Sequence, residues 1–140
     1  MFVLDTNILS AVMSHEPAPH VAAWISSQSL ESLYTVAVCQ AEILCGIEIL
    51  PKGRRRRALE AAARTVFAED FEGRVLPFDE SAAAAYADIF AARRRAGRPI
   101  ATVDLMIASV ARVHGAPVVT RDTGGFEGCG LTLINPWESP

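Results

Sequence analysis

The sequence is short of the features that most quickly assign a chain of this size. No apolar run approaches the ~18 residues that cross a bilayer, so no membrane association is expected. The start, Met1-Phe2-Val3-Leu4-Asp5, has no basic region and no small-residue cleavage pattern, which argues against a secretory leader. Cysteine is scarce: Cys39, Cys45 and Cys129 are odd in number and form no C-x-x-C pair, which argues against a zinc or disulfide framework. Cys39 and Cys45 read as small apolar fillers. His15, His20 and His114 are scattered and read as surface or helix-end residues rather than a ligand cluster. There is no G-x-G-x-x-G or phosphate-loop pattern, so a nucleotide cofactor has no support. A nucleophile elbow for Ser-His-Asp catalysis is also missing. No repeat, low-complexity segment or linker interrupts the chain. These absences leave a cytoplasmic protein as the simplest reading.

What is present suits one folded unit over residues 1–140. Hydrophobic residues make up 51% of the 140, enough for a real core and too many for disorder. The net charge of -3 gives no global drive toward nucleic acid. Arginine is nevertheless concentrated in Arg54-Arg55-Arg56-Arg57 and in Arg93-Arg94-Arg95 with Arg98. Such clusters neutralise phosphates locally, or they are solvated helix faces. Both readings stand at this point.

Short β-branched runs alternate with longer helical ones. Strands are expected at 2–4, 33–38, 75–77, 118–120 and 131–134, each apolar as in buried parallel strands. Helices are expected at 6–13, 17–27, 38–50, 54–68, from a cap at Asp79 or Ser81 through 96, and at 103–114. Asp5 or Thr6, Asp79 or Ser81, and Thr102 are cap candidates, and Pro17 is tolerated in a first turn. Leu9, Val12, Met13 and Trp24 read as core, with an interface as the alternative. Strands separated by helices imply right-handed crossovers and an α/β fold with a parallel sheet.

Against that frame four acids stand out. Asp5 ends the first strand. Glu42 lies early in the helix after the second, among Ala41, Ile43, Leu44 and Ile47. Asp104 opens the helix of Val103-Asp104-Leu105-Met106, and Asp122 ends Val118-Val119-Thr120-Arg121. In a parallel sheet the carboxyl ends of the strands share the edge where ligands bind. Taken singly, each acid can be a helix cap, a partner of a helix dipole or a turn residue. Together they would repel one another without a hard cation between them. Oxygen ligands, water and substrate phosphate are what Mg²⁺ prefers. The pattern therefore suggests phosphate chemistry dependent on Mg²⁺ or Mn²⁺.

At these residues the chain resembles the PIN-domain ribonucleases, especially the VapC toxins of bacterial toxin–antitoxin pairs. The stretches that carry the resemblance are Phe2-Val3-Leu4-Asp5-Thr6-Asn7, Ala41-Glu42-Ile43-Leu44-Cys45-Gly46-Ile47, Val103-Asp104-Leu105-Met106-Ile107-Ala108 and Val119-Thr120-Arg121-Asp122. Phe126-Glu127-Gly128 and the ending Asn135-Pro136-Trp137 look like the branch that includes the FitB proteins. The resemblance spans the chain and keeps the motifs in order.

The resemblance implies a PIN-like three-layer α/β fold, with a central parallel sheet of about five strands flanked by helices. It implies a toxin that is a Mg²⁺- or Mn²⁺-dependent endoribonuclease cleaving RNA phosphodiester bonds. Asp5, Glu42, Asp104 and Asp122 would form the acidic catalytic set. Asp5 and Asp104 would hold the metal most directly, and Thr6, Asn7 and Thr120 would give polar support behind the acids. Implied partners are a VapB-like antitoxin, operator DNA through that antitoxin, and a second copy in a homodimer. One departure matters: many relatives carry Asn at the place of Asp122 and a further Asp where this chain has Gly125, so the fourth acid is present once. The competing readings are a non-catalytic protein- or RNA-binding module, in which the acids are caps, and a metal-dependent DNA nuclease or phosphatase.

Overall fold

A computed structural model describes residues 1–138. In chain order the elements are β1 (Phe2–Leu4), α1 (Thr6–Met13), α2 (Pro19–Ser26), β2 (Leu33–Val36), α3 (Ala37–Glu48), α4 (Arg54–Thr65), β3 (Val75–Leu76), α5 (Glu80–Arg95), α6 (Thr102–Val113), β4 (Val118–Val119) and β5 (Leu133–Ile134). The five strands form one parallel sheet in the order β3-β2-β1-β4-β5. Val3 sits opposite both Tyr34 and Val118. The strand nearest the start of the chain is thus the centre of the sheet, as its burial requires: Val3 and Leu4 are inaccessible to water. After β3 the chain returns to the far side of β1, so the winding direction reverses between β1 and β4. That reversal opens a crevice at the carboxyl ends of these two strands. The expected parallel sheet flanked by helices is present.

Element boundaries shift by a few residues. β2 stops at Val36, and Ala37 and Val38 belong to α3. Its only partner on that side, β3, is two residues long and pairs with Thr35 and Val36, so nothing holds Ala37 and Val38 extended. α2 begins at Pro19 rather than Pro17, with the proline in its first turn. α4 ends at Thr65 and passes into a wide π turn, Val66–Asp70. Asp79 caps α5, accepting from the Ala82 N–H at 3.0 Å. Thr102 is the first residue of α6 rather than its cap. Leu9 is core and Trp24 packs edge-on against Phe2, 5.2 Å between rings. Val12, expected with them, is 39% exposed. Among the described residues no helix is long and apolar enough to cross a membrane.

Candidate active site

Asp5 is held where β1 passes into α1. Its N–H donates to the Val119 carbonyl at 2.9 Å, and its own carbonyl accepts from the N–H groups of Ile8 and Leu9. The side chain does more than cap. Oδ1 accepts the Thr6 N–H at 2.7 Å. Oδ2 accepts the Thr120 hydroxyl at 2.8 Å and the Asn7 amide at 3.3 Å. An ionised carboxylate has about four acceptor positions, so what remains open is on Oδ1. Asp5 is only 5% exposed. Burial raises its pKa above 3.8; the bonds from Thr120 and Thr6 oppose that, while Glu42 and Asp122 add to it.

Thr120 is the keystone beneath Asp5. Fully buried, its hydroxyl donates to Asp5 and accepts from the Asp122 N–H at 3.0 Å and the Asn7 amide at 3.2 Å. One donor and two acceptor lone pairs are all a hydroxyl has. Asn7 Oδ1 in turn accepts the Arg121 N–H at 3.1 Å. These bonds tie the start of α1 to the loop after β4.

The other acids reach the same groove from separate elements. Glu42, in the second turn of α3, is exposed and accepts the Thr6 hydroxyl at 2.5 Å. Asp104 lies in the first turn of α6, half-buried, and no hydrogen bond from the described residues reaches its carboxylate. Burial first, then the charges of Asp5, Asp122 and Glu42, push its pKa from 3.8 to about 6. Asp122 caps the turn Thr123–Phe126, its Oδ1 accepting the Gly125 N–H at 3.2 Å. A Cβ at position 125 would lie 2.8 Å from Asp122 Oδ2. The acid at 122 and the missing side chain at 125 are therefore one arrangement: the Asp122 carboxylate occupies the space a residue at 125 would need.

The four acids line one groove of about 590 Å³ together with Thr6, Asn7, Ser10, Ala11, Arg121 and Trp137. Of these six, sequence reasoning assigns a site role only to Thr6 and Asn7; Ser10, Ala11, Arg121 and Trp137 are additions from the structure. Arg121 carries its guanidinium carbon 5.0 Å above the Trp137 ring. Among the described residues no three His, Cys, Asp or Glu side chains draw together as a ready-made metal cage. An ion here would take water and substrate oxygens for most of its shell, as Mg²⁺ does. The donor set fits such an ion: all oxygen, with one bare carboxylate at Asp104 and one open position at Asp5.

The arginine clusters divide. Arg56 is structural, paired with Glu60 at 2.8 Å and Glu48 at 3.2 Å. Arg93 is buried and donates to the carbonyls of Arg98 and Glu127, while Arg98 pairs with Glu127 at 3.1 Å. Arg54 and Arg55 instead line a cavity of about 980 Å³ that shares Ser10 with the acidic groove. Arg55 also borders a smaller cavity lined by Thr6, Ser10 and Glu42. Cys39 is a buried filler whose thiol is pushed up to about 12, chiefly by burial. Cys45 is exposed, because α3 turns Ile43 and Ile47, not Cys45, to the core.

Residues 2–128 match the model of the PIN domain family. A VapC ribonuclease of Sinorhizobium fredii, Y4jK, is 43% identical over 138 residues, covering 99% of each chain. Toxin FitB of Neisseria gonorrhoeae is 38% identical over 137 residues, covering 98% of this chain and 99% of that protein. A solved FitAB complex bound to a DNA fragment superposes with a TM-score of 0.94 at 37% identity, covering 100% of this chain and 98% of that one.

Proposed function

The chain belongs to the PIN-domain family, and from that premise we propose that it is the toxin of a toxin–antitoxin pair, a metal-dependent endoribonuclease that hydrolyses RNA phosphodiester bonds. The observation that carries this reading is the convergence of Asp5, Glu42, Asp104 and Asp122 on one groove at the carboxyl edge of the sheet. Asp5 and Asp104, whose pKa values are raised first by burial and then by the neighbouring acids, are poorly suited to capping alone, and no cation is paired with the four carboxylates among the described residues. The four suit a divalent cation and a phosphate that arrives with it.

In this reading Asp5 and Asp104 hold a Mg²⁺ or Mn²⁺ ion. When bound, such an ion strengthens water as a nucleophile and stabilises the charge developing on phosphate oxygens. The protein's part is positioning. Thr120, Asn7 and the Thr6 N–H fix the Asp5 carboxylate so that its open position faces the groove. Thr6 fixes Glu42, and Asp122 is fixed by its own turn. Glu42 and Asp122 complete the site or orient the attacking water. Arg54 and Arg55 border the continuation of the groove past Ser10, where they meet backbone phosphates of the RNA. These contacts set register, not sequence preference. A VapB-like antitoxin neutralises the toxin and carries it to operator DNA, and a cytoplasmic homodimer is the working assembly.

The test is cleavage of single-stranded RNA by the purified protein with and without Mn²⁺, alongside Asp5→Asn and Asp104→Asn. Cleavage that needs the metal and is lost in both variants is expected. Full activity in both variants would sink the roles assigned here, and cleavage of DNA or small phosphoesters in preference to RNA would sink the substrate class.

A further inference from the structure

Among the described residues Arg121 is the one guanidinium that lines the acidic groove itself. It is the immediate neighbour of Asp122, and four carboxylates share its cavity, yet among the described residues it forms no ion pair. Its guanidinium lies instead over the face of Trp137, where the ring quadrupole attracts a cation.

The backbone is built to keep it there. The Arg121 N–H donates to Asn7 Oδ1 at 3.1 Å. The Arg121 carbonyl accepts from Asn135 Nδ2 at 3.3 Å, and Asn135 Oδ1 accepts the Trp137 N–H at 3.0 Å. One asparagine thus fixes the residue that bears the cation and the residue that bears the ring. A guanidinium stacked by one face keeps its in-plane N–H edge free, and that fork matches two oxygens of a phosphate.

We propose that Arg121 is a phosphate clamp for the RNA strand. The guanidinium edge takes two non-bridging oxygens of a backbone phosphate in the groove, and Trp137 is a positioning residue that keeps the cation off the carboxylates. This rests on the endoribonuclease reading above. The clamp adds a fixed positive charge where the acids would otherwise repel the strand, so it acts on substrate binding rather than on the metal.

The experiment is a fluorescence-anisotropy titration of a labelled single-stranded RNA oligonucleotide across a salt series. The protein is held in chelator so that it binds without cleaving, and cleavage kinetics in Mn²⁺ run in parallel. Arg121→Ala is expected to weaken binding on the order of tenfold. The slope of log affinity against log salt should flatten by about 0.7, the value of one lost phosphate contact on a single strand. KM should rise far more than kcat falls. Arg121→Gln, which keeps the length and loses the charge, should behave like the alanine variant. Arg121→Lys should keep the salt slope and recover only part of the affinity. Trp137→Leu keeps the charge and loses the ring face, so it should weaken binding with the slope retained. Affinity and salt slope equal to wild type in both Arg121→Ala and Arg121→Gln overturn the clamp while the nuclease reading stands. A wild type that neither binds nor cleaves RNA overturns both.

Discussion

Replacing Asp104 by Asn should make the metal-free protein more stable at neutral pH while removing its activity. Asp104 is half-buried among three other acids, and its pKa stands near 6 rather than 3.8. The folded chain therefore binds this proton more tightly than the unfolded chain does. Stability contributed by the protonated form is full below about pH 4 and is lost as pH rises through 6. At about 1.36 kcal/mol per pH unit, the loss is at most about 3 kcal/mol. The carboxyl is half open to water, and screening reduces this to about 1–2 kcal/mol. For a chain of this length that is roughly 3–6 °C in Tm. The assay is thermal unfolding in chelator at a series of pH values. Wild type should lose stability between pH 4 and 7 relative to Asp104→Asn, and the variant should melt higher at pH 7.5. Added Mn²⁺ should reverse the order, because in the proposed site only the wild type gains a bound ion. A variant that melts below wild type in chelator at pH 7.5 would refute the reasoning, since it would mean that the ionised carboxylate is stabilised by something other than a cation.

Two further substitutions test the geometry. Gly125→Ala puts a Cβ 2.8 Å from Asp122 Oδ2; Asp122 should rotate away, lowering cleavage on the order of tenfold while the melting curve moves by less than about 1 kcal/mol, as a short exposed side chain can turn. Unchanged kinetics would mean that Asp122 has no part in the site. Thr120→Val removes the hydroxyl that donates to Asp5 and accepts from Asp122 and Asn7; a loss of about 2–3 kcal/mol in urea unfolding is expected, together with weaker Mn²⁺ binding by calorimetry. Retained metal affinity would show that Asp5 is held without it.

The alternation of short apolar strands and longer helices was legible because burial on both faces leaves strands almost no polar residues. The four acids were legible because each interrupts or ends such a run. Neither signal locates the end of β2: Thr35, Val36 and Val38 are β-branched around a single Ala37, and the two-residue length of β3 leaves Ala37 and Val38 free to turn into α3. Position 125 looked like a deficit in one dimension. In three dimensions it is the space filled by Asp122, a relation that depends on the tightness of one turn. Arg121 and Trp137 were invisible as a pair, because their residues lie in different loops and neither interrupts a periodic pattern. The arginine runs looked alike, yet packing separates Arg56 and Arg93, bound to neighbours, from Arg54 and Arg55, which face a cavity.

The bond from Thr120 to Asp5 spans 115 positions. A ribosome adding about 5–20 residues per second makes the two partners roughly 6–23 s apart. Until β4 exists, β1 lacks one of its neighbours in the sheet, and the Asp5 carboxylate lacks the hydroxyl beneath it. Asp122 and Arg121 have not been made either. A chain that stops short of β4 therefore lacks the assembled form of the proposed acidic site. Synthesis through β4 and the loop that follows it is the step that would bring the proposed acidic site together.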